Sequence, residues 1–264
     1  MPITRVKCSA GYPYSGRYKE FSIEDCAACA NSGSNKCHFN APMIRAVHAG
    51  WKDSANRNPY SASSLVGCPR RVVLKHNLEY GADPVLEHRA MRGTLFHSML
   101  EQHAEPWQDE IVETRFSTEF EGVKISGMPD LVVRRLKTLY DYKTTDNLPL
   151  YKHPYVHHKL QTNIYKWILS RNGIEIDKII IQYISMSDSK QCEAIVMSDE
   201  EIESFIRSRL NLLRPAFEIE DEFESWVDYL PAILGWDDPQ CKWCELKNEC
   251  YALWEQEIRN GKKD

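Results

Sequence analysis

Gly127-Met128-Pro129-Asp130, then Leu131 to Val133, and then Thr138 to Tyr142 running into Asp141-Tyr142-Lys143, is the stretch that decides how this chain reads. Val123 to Ser126, Leu131 to Val133 and Thr138 to Tyr142 are short β-rich runs, and Arg134-Arg135-Leu136 has the look of a hairpin connection. Alternate residues of a strand share a face, so Asp141 and Lys143 point the same way, and a hairpin can carry Asp130 beside them. Carboxylates grouped in this way hold Mg²⁺ or Mn²⁺ through oxygen; the cation neutralises a scissile phosphate, and the lysine positions or deprotonates an attacking water. The same triplet also describes a solvated surface ion pair of little energetic weight, and D-x-K arises often by chance.

Outward from this centre the pattern alternates between helix and strand. Upstream, Ile111 to Phe116 reads as a further strand, and Glu87 to His103 as a helix with Leu95 and Met99 at four-residue spacing and His97 upon it. Downstream, Tyr155 to Ser170 predicts a helix ended by Asn172-Gly173, and Lys178 to Ser185 a buried strand with Ile179, Ile180 and Ile181 in succession. A strand is expected around Glu193 to Met197, before a helix that starts near Ser198-Asp199-Glu200-Glu201 with its own cap and early acids.

Asp130 within Pro129-Asp130, followed by Asp141-Tyr142-Lys143, resembles the PD-(D/E)XK nuclease signature. Arg92-Gly93-Thr94-Leu95-Phe96-His97-Ser98-Met99-Leu100-Glu101 resembles the helix of RecB-type nucleases that supplies a histidine ligand, and Gln161 with Tyr165 resembles their Q-x-x-x-Y motif, on one helical face. The resemblance implies an α/β fold, a restriction-endonuclease-like mixed sheet flanked by helices. It implies roles as well: His97, Asp130 and Asp141 on a Mg²⁺ or Mn²⁺ ion, the Tyr142 carbonyl completing the shell, Lys143 on the water, and Gln161 and Tyr165 holding the lysine or touching the substrate strand. The activity implied is hydrolysis of DNA, as an exonuclease.

Nine cysteines in a chain expected to be cytoplasmic are better read as metal ligands or reactive thiols than as disulfides. Cys241, Cys244 and Cys250 form a C-x2-C-x5-C run that needs a fourth ligand, for which Cys68 is the candidate; four thiolates suit tetrahedral zinc or a cubane iron-sulfur cluster equally. Ser63 to Arg71 resembles the segment ahead of the core in iron-staple nucleases, the AddB nuclease domain and the CRISPR-associated exonucleases, which place one cysteine before the nuclease core and three after it. That resemblance, over Ser61 to Leu253, favours a structural [4Fe-4S] cluster. Cys26 and Cys29 form a metal knuckle with Cys37 after it; Cys8 or His38 could complete a zinc site, and Cys8 is preferred. Cys192 reads as a small buried hydrophobe.

Residues 1–58, rich in Gly, Ser, Asn and Cys with little hydrophobic periodicity, therefore read as a small zinc module, and residues 59–264 as the nuclease domain. A net charge of −5 argues against a protein that coats nucleic acid through bulk electrostatics, yet Arg134, Arg135 and Lys137 can still meet phosphates locally. No apolar stretch approaches the roughly 20 residues a membrane helix needs, and Met1 to Tyr12 lacks the layout of an export signal. The expected partner is DNA. The expected settings are end trimming beside a CRISPR integrase complex, or phage and bacterial recombination or repair beside a helicase; a non-cleaving iron-sulfur protein that binds DNA or a partner is the reading from another class.

Overall fold

The computed structural model describes residues 3–8, 18–32, 39–52, 58–105, 109–149, 153–218, 241 and 244–259. In chain order the elements are β1 (Ile3–Cys8), β2 (Lys19–Phe21), α1 (Ile23–Asn31), α2 (Ala41–Lys52), α3 (Ala62–Val66), α4 (Pro69–Asn77), β3 (Tyr80–Ala82) and α5 (Pro84–Gln102). There follow β4 (Glu110–Val112), β5 (Phe116–Phe120), β6 (Val123–Gly127), β7 (Leu131–Val133), β8 (Thr138–Thr144), α6 (Val156–Arg171), β9 (Lys178–Ile184), β10 (Ser189–Ala194), α7 (Asp199–Glu218) and α8 (Lys247–Arg259). They group into two compact units. The first comprises Met1–Arg57, Arg70–Arg92 and Pro215–Asp264; the second comprises Asn58–Pro69 and Gly93–Arg214.

The first unit carries a three-stranded sheet of order β2-β1-β3, antiparallel between β1 and β2 and parallel between β1 and β3. Ser22 caps α1, its Oγ accepting the Asp25 N–H at 2.9 Å, and the early acids Glu24 and Asp25 suit the positive end of the helix dipole. The helices α1 and α2 pack on each other and α1 on β1, burying Val6, Ala30, Ile44 and Val47. The N-terminal segment therefore brings apolar residues to the core of the first unit. Its signal is weak in the sequence because Ile44 and Val47, one turn apart, are almost the whole stripe of a short helix.

The second unit is built on a five-stranded mixed sheet of order β10-β9-β8-β7-β4, parallel only between β8 and β9, with β5 and β6 as a separate antiparallel pair. The parallel step requires a crossover, and α6 supplies it. Thr162, Asn163, Ile164, Tyr165, Trp167, Ile168 and Leu169 of α6 are all buried, and the helix packs on α3, β5, β6, β8 and β9. In β9 the run Ile179, Ile180 and Ile181 is buried on both faces, as a central parallel strand demands. Ile202, Ile206, Leu210 and Leu213 give α7 a stripe with no solvent exposure. A mixed sheet flanked by helices is the architecture expected.

Two strands differ from expectation. The run read as Ile111 to Phe116 is broken at Glu113, whose φ of 42° is left-handed and ends β4, so that β5 begins anew in the other sheet. The last strand lies earlier than Glu193 to Met197, because Ser185 closes a turn onto the Asp188 carbonyl at 2.8 Å and starts pairing at Ser189. Cys192 and Ala194 point into the core from that strand, while Ile195 and Val196 lie past its end, 72% and 37% exposed. Hydrophobicity alone had suggested the opposite.

Candidate active site

Between β7 and β8 the chain turns through a 3-10 turn at Arg134–Leu136 and a left-handed Lys137, the connection expected there. The hairpin sets Asp130, just ahead of β7, against the middle of β8: Asp130 Oδ2 accepts the Tyr142 N–H at 2.6 Å. In β8 Asp141 is fully buried and Lys143 shares its face, with Nζ 3.0 Å from Asp141 Oδ1 and 2.8 Å from Oδ2. From α5, His97 approaches with Nε2 3.2 Å from the Tyr142 carbonyl and Nδ1 3.6 Å from Asp130 Oδ1. His97, Asp130, Asp141, Tyr142 and Lys143 thus come together, as their order in the chain had suggested.

Glu113 joins them without having been foreseen. Its backbone N–H donates to the Asp130 carbonyl at 3.2 Å, and its Oε1 lies 3.0 Å from His97 Nδ1. The left-handed backbone that ends β4 turns this side chain inward, a conformation costly for a residue with a Cβ unless its surroundings fix it. In the sequence the only hint is an acid at the end of a short β run, in Glu110-Ile111-Val112-Glu113.

Ligand atoms of His97, Glu113 and Asp130 lie within 4.8 Å of one another, a spacing one cation can bridge. The Asp141 Oδ2 atom is buried, and although Lys143 Nζ is near, it lacks a well-directed hydrogen bond. A buried carboxylate oxygen left in that state is costly unless it meets charge. The donor set, one imidazole and several carboxylate oxygens, fits a hard divalent cation.

The electrostatics point the same way. Burial, and then the charge of Asp141, push the Asp130 carboxyl up to about 7. The bond to Glu113 raises the His97 imidazole despite its burial, with Asp130 adding to the effect. Burial opposes the charge on Lys143, but Asp141 and Asp130 more than offset it and hold the ammonium above the usual lysine range. Without metal, protons therefore do part of the work a cation would do.

Gln161 and Tyr165 lie on one face of α6, with Gln161 Nε2 donating to Tyr165 Oη at 2.6 Å. Tyr165 is only 6% exposed, and its ring lies on Gly127, where an added Cβ would come within 2.6 Å of Cδ1. The glycine of Gly127-Met128-Pro129-Asp130 is thus a place where strand and helix approach too closely for any side chain. Gly127→Ala should push the Tyr165 ring aside and destabilise the protein by about 1–3 kcal/mol, the usual cost of overpacking. A thermal melt beside wild type would check this, an unchanged Tm being the contrary result.

The cysteines divide between the units. In the second, Cys68 follows α3, and the Arg209 guanidinium of α7 donates to the carbonyl of Leu65 in that helix, Nε at 2.6 Å, and to that of Gly67 just after it. In the first, the Cys244 N–H meets the Cys241 carbonyl at 3.3 Å, and the Cys250 N–H meets the Leu246 carbonyl at 2.9 Å. Between them Glu245 is held by Arg71 and Lys75, which outweigh burial and keep its carboxyl at about 2. Cys8 ends β1, and Cys26 and Cys29 sit one turn apart on α1; Cys37, like His38, lies outside the described residues. Cys192 is buried at 1% exposure.

Among solved structures, SSO0001 has the same fold at a TM-score of 0.53 and 20% identity, over 80% of this chain and 94% of its own. A protein of Eubacterium rectale, provisionally described as an exonuclease, gives a TM-score of 0.32 at 15% identity over 47% of this chain and 53% of its own. No curated protein matches the sequence. Residues 102–251 match the PD-(D/E)XK nuclease superfamily. The matched stretch holds Glu113, Asp130, Asp141, Lys143, Gln161 and Tyr165, with His97 just ahead of it, and it spans more than half of the 264 residues. With the carboxylates and lysine of the signature gathered on one hairpin of a mixed sheet, the chain belongs to the PD-(D/E)XK nuclease superfamily.

Proposed function

We propose that this protein is a Mg²⁺- or Mn²⁺-dependent deoxyribonuclease that acts on DNA ends. The observation that carries the reading is the convergence of His97, Glu113, Asp130, Asp141 and Lys143 in one partly buried cluster. A bound divalent cation would supply Lewis-acid stabilisation of the phosphate and of the attacking water. His97, Asp130 and Asp141 would hold it, with Glu113 and the Tyr142 carbonyl beside them. Lys143, whose ammonium Asp141 and Asp130 favour despite its burial, would orient the water and stabilise negative charge developing on the phosphate. Gln161 and Tyr165 act as positioning residues through the packing of α6 on β6. End-labelled single-stranded and duplex DNA, incubated with Mg²⁺ or Mn²⁺, tests the reading: progressive shortening from an end is expected, and intact DNA in both forms would overturn it.

The site carries its own pH dependence. Asp130 is raised from 3.8 to about 7 and so retains its proton up to near neutrality, and His97 is raised as well. A cation must displace these protons, so Mn²⁺ affinity should increase as pH rises through about 7. For folding without metal the sign is reversed. Asp130 binds more protons folded than unfolded between about 4 and 7, so the stability it lends is full below that window and lost as pH climbs through it. Mn²⁺ titrations at pH 6 and pH 8 check the first point; equal affinities would contradict it.

The cysteine pattern supports a [4Fe-4S] cluster on Cys68, Cys241, Cys244 and Cys250, and zinc on Cys8, Cys26, Cys29 and Cys37, by spacing and by resemblance to the iron-staple nucleases. Cys244→Ser should remove iron and visible absorbance from anaerobically purified protein, while Cys29→Ser should remove zinc alone; elemental analysis showing zinc without iron in the wild type would defeat the assignment. The same resemblance supports end trimming of DNA destined for spacer integration, in antiviral defence, with an integrase complex as partner. Recombination or repair uses the same chemistry in another setting.

A further inference from the structure

The face of the sheet that bears Lys143 continues sideways into a cluster of aromatic rings. Parallel pairing sets Lys143 opposite Tyr183 of β9, so their side chains stand next to each other on that face. Tyr183 is fully buried; its Oη accepts the Tyr155 N–H at 3.0 Å and lies 2.9 Å from His158 Nδ1. The Tyr155 ring meets Tyr183 edge-on, at 5.6 Å and 89°, and lies nearly parallel to His157, at 6.0 Å and 12°. His157 and His158 complete the group with ring centroids 4.0 Å apart. Burial, followed by the nearby Lys143 charge, keeps His157 below the usual imidazole range, and burial with its two charged or polar neighbours holds His158 at about 2. Near neutral pH these are uncharged, flat surfaces.

The outer members are open to solvent: Tyr155 is 45% exposed, and His157 is exposed beside it. Tyr155 also occupies the N-cap of α6, where Ser, Thr, Asp or Asn would add a hydrogen bond, and its side chain makes no capping bond. A residue that breaks a local rule next to a reactive centre invites a functional explanation. The geometry is that of a rigid aromatic face, fixed from below by Tyr183 and anchored through its backbone, adjoining the ammonium that would meet a phosphate. Rings of this kind accept nucleobases by stacking whatever the base, since each base has a π face. In a duplex both faces of an internal base are already covered by its neighbours, so only an unpaired or terminal base can use such a surface.

We propose that Tyr155, with His157 beside it, is a stacking platform for an unpaired nucleobase of the DNA strand whose phosphate lies at Lys143. The inference rests on the nuclease reading and adds to it a preference for single-stranded or frayed ends.

The test uses the full chain and oligothymidylate carrying one 2-aminopurine at successive positions from an end. Fluorescence is followed on binding, before Mg²⁺ is added, and cleavage afterwards. Quenching is expected at one position; it should persist in Tyr155→Phe and vanish in Tyr155→Ala and in Tyr155→Leu, the last of which keeps an apolar side chain over Tyr183. After Mg²⁺, Tyr155→Ala should raise KM for the single strand by about tenfold, the loss of one base stack, with a smaller change in kcat. An abasic site at the quenched position should erase the difference between wild type and variant. Quenching that survives in Tyr155→Leu, or an equal KM penalty on the abasic strand, would overturn the platform. Normal cleavage with Tyr155-independent quenching would sink the platform and spare the nuclease reading. Tyr155-dependent quenching with no cleavage under Mg²⁺ or Mn²⁺ would do the reverse.

Discussion

Asp141→Ala should lower the rate of DNA hydrolysis by about 10³-fold or more, the several kcal/mol that correct placement of a divalent cation contributes to a phosphoryl transition state. Asp141 is fully buried on β8, it carries an oxygen that lacks a well-directed hydrogen bond, and its charge acts directly on Asp130. Removing it takes away a proposed ligand and, with it, the ion partner of Lys143. Asp130→Ala should have a comparable effect by a second route, since Asp130 Oδ2 also holds the backbone N–H of Tyr142, the residue whose carbonyl faces His97. DNA binding should survive better than cleavage in both variants, because neither substitution removes a cationic side chain that could meet phosphate. Single-turnover cleavage at saturating Mn²⁺, compared with Asp141→Asn to separate charge from shape, makes the measurement. Undiminished cutting by the two alanine variants would remove the basis of the site.

Lys143→Ala should remove most activity, by about 10²–10³-fold, while leaving Mn²⁺ binding largely intact, because the role proposed for its ammonium is on developing charge and not as a ligand. A second consequence distinguishes it from a surface lysine. Without its partner, the buried Asp141 carboxylate is left uncompensated, which should destabilise the metal-free protein by about 3 kcal/mol. A cation would restore the missing positive charge, so the stability deficit should shrink when Mn²⁺ is added, whereas the deficit in rate should remain. Thermal melts with and without Mn²⁺, run beside the kinetics, test both halves. Loss of metal binding with normal turnover at saturating metal would mean the lysine has been given the wrong role.

The alternation of elements, the hairpin that carries Asp130 to Asp141 and Lys143, and the shared helical face of Gln161 and Tyr165 are all legible before the chain folds. Each depends on relations within a few residues, on a period of two along a strand or four along a helix, which a chain displays before it folds. The sequence also brought His97 into the site, through the motif around it. The rest depends on contacts between segments far apart in the chain. Glu113 becomes part of the site because a left-handed residue ends β4 and its N–H finds the Asp130 carbonyl, and neither event leaves a periodic trace. Gly127 is required by a ring on another element, and Tyr155 packs on Tyr183, the residue that the parallel β8–β9 pairing sets opposite Lys143. The edge strand was misplaced along the sequence because Ile195 and Val196 look more strand-like than Ser189 to Gln191, while pairing to β9 follows the turn at Ser185. Contacts between residues distant in sequence are fixed by which strands lie side by side, and local propensity, which records only what each segment prefers alone, carries no information about that choice.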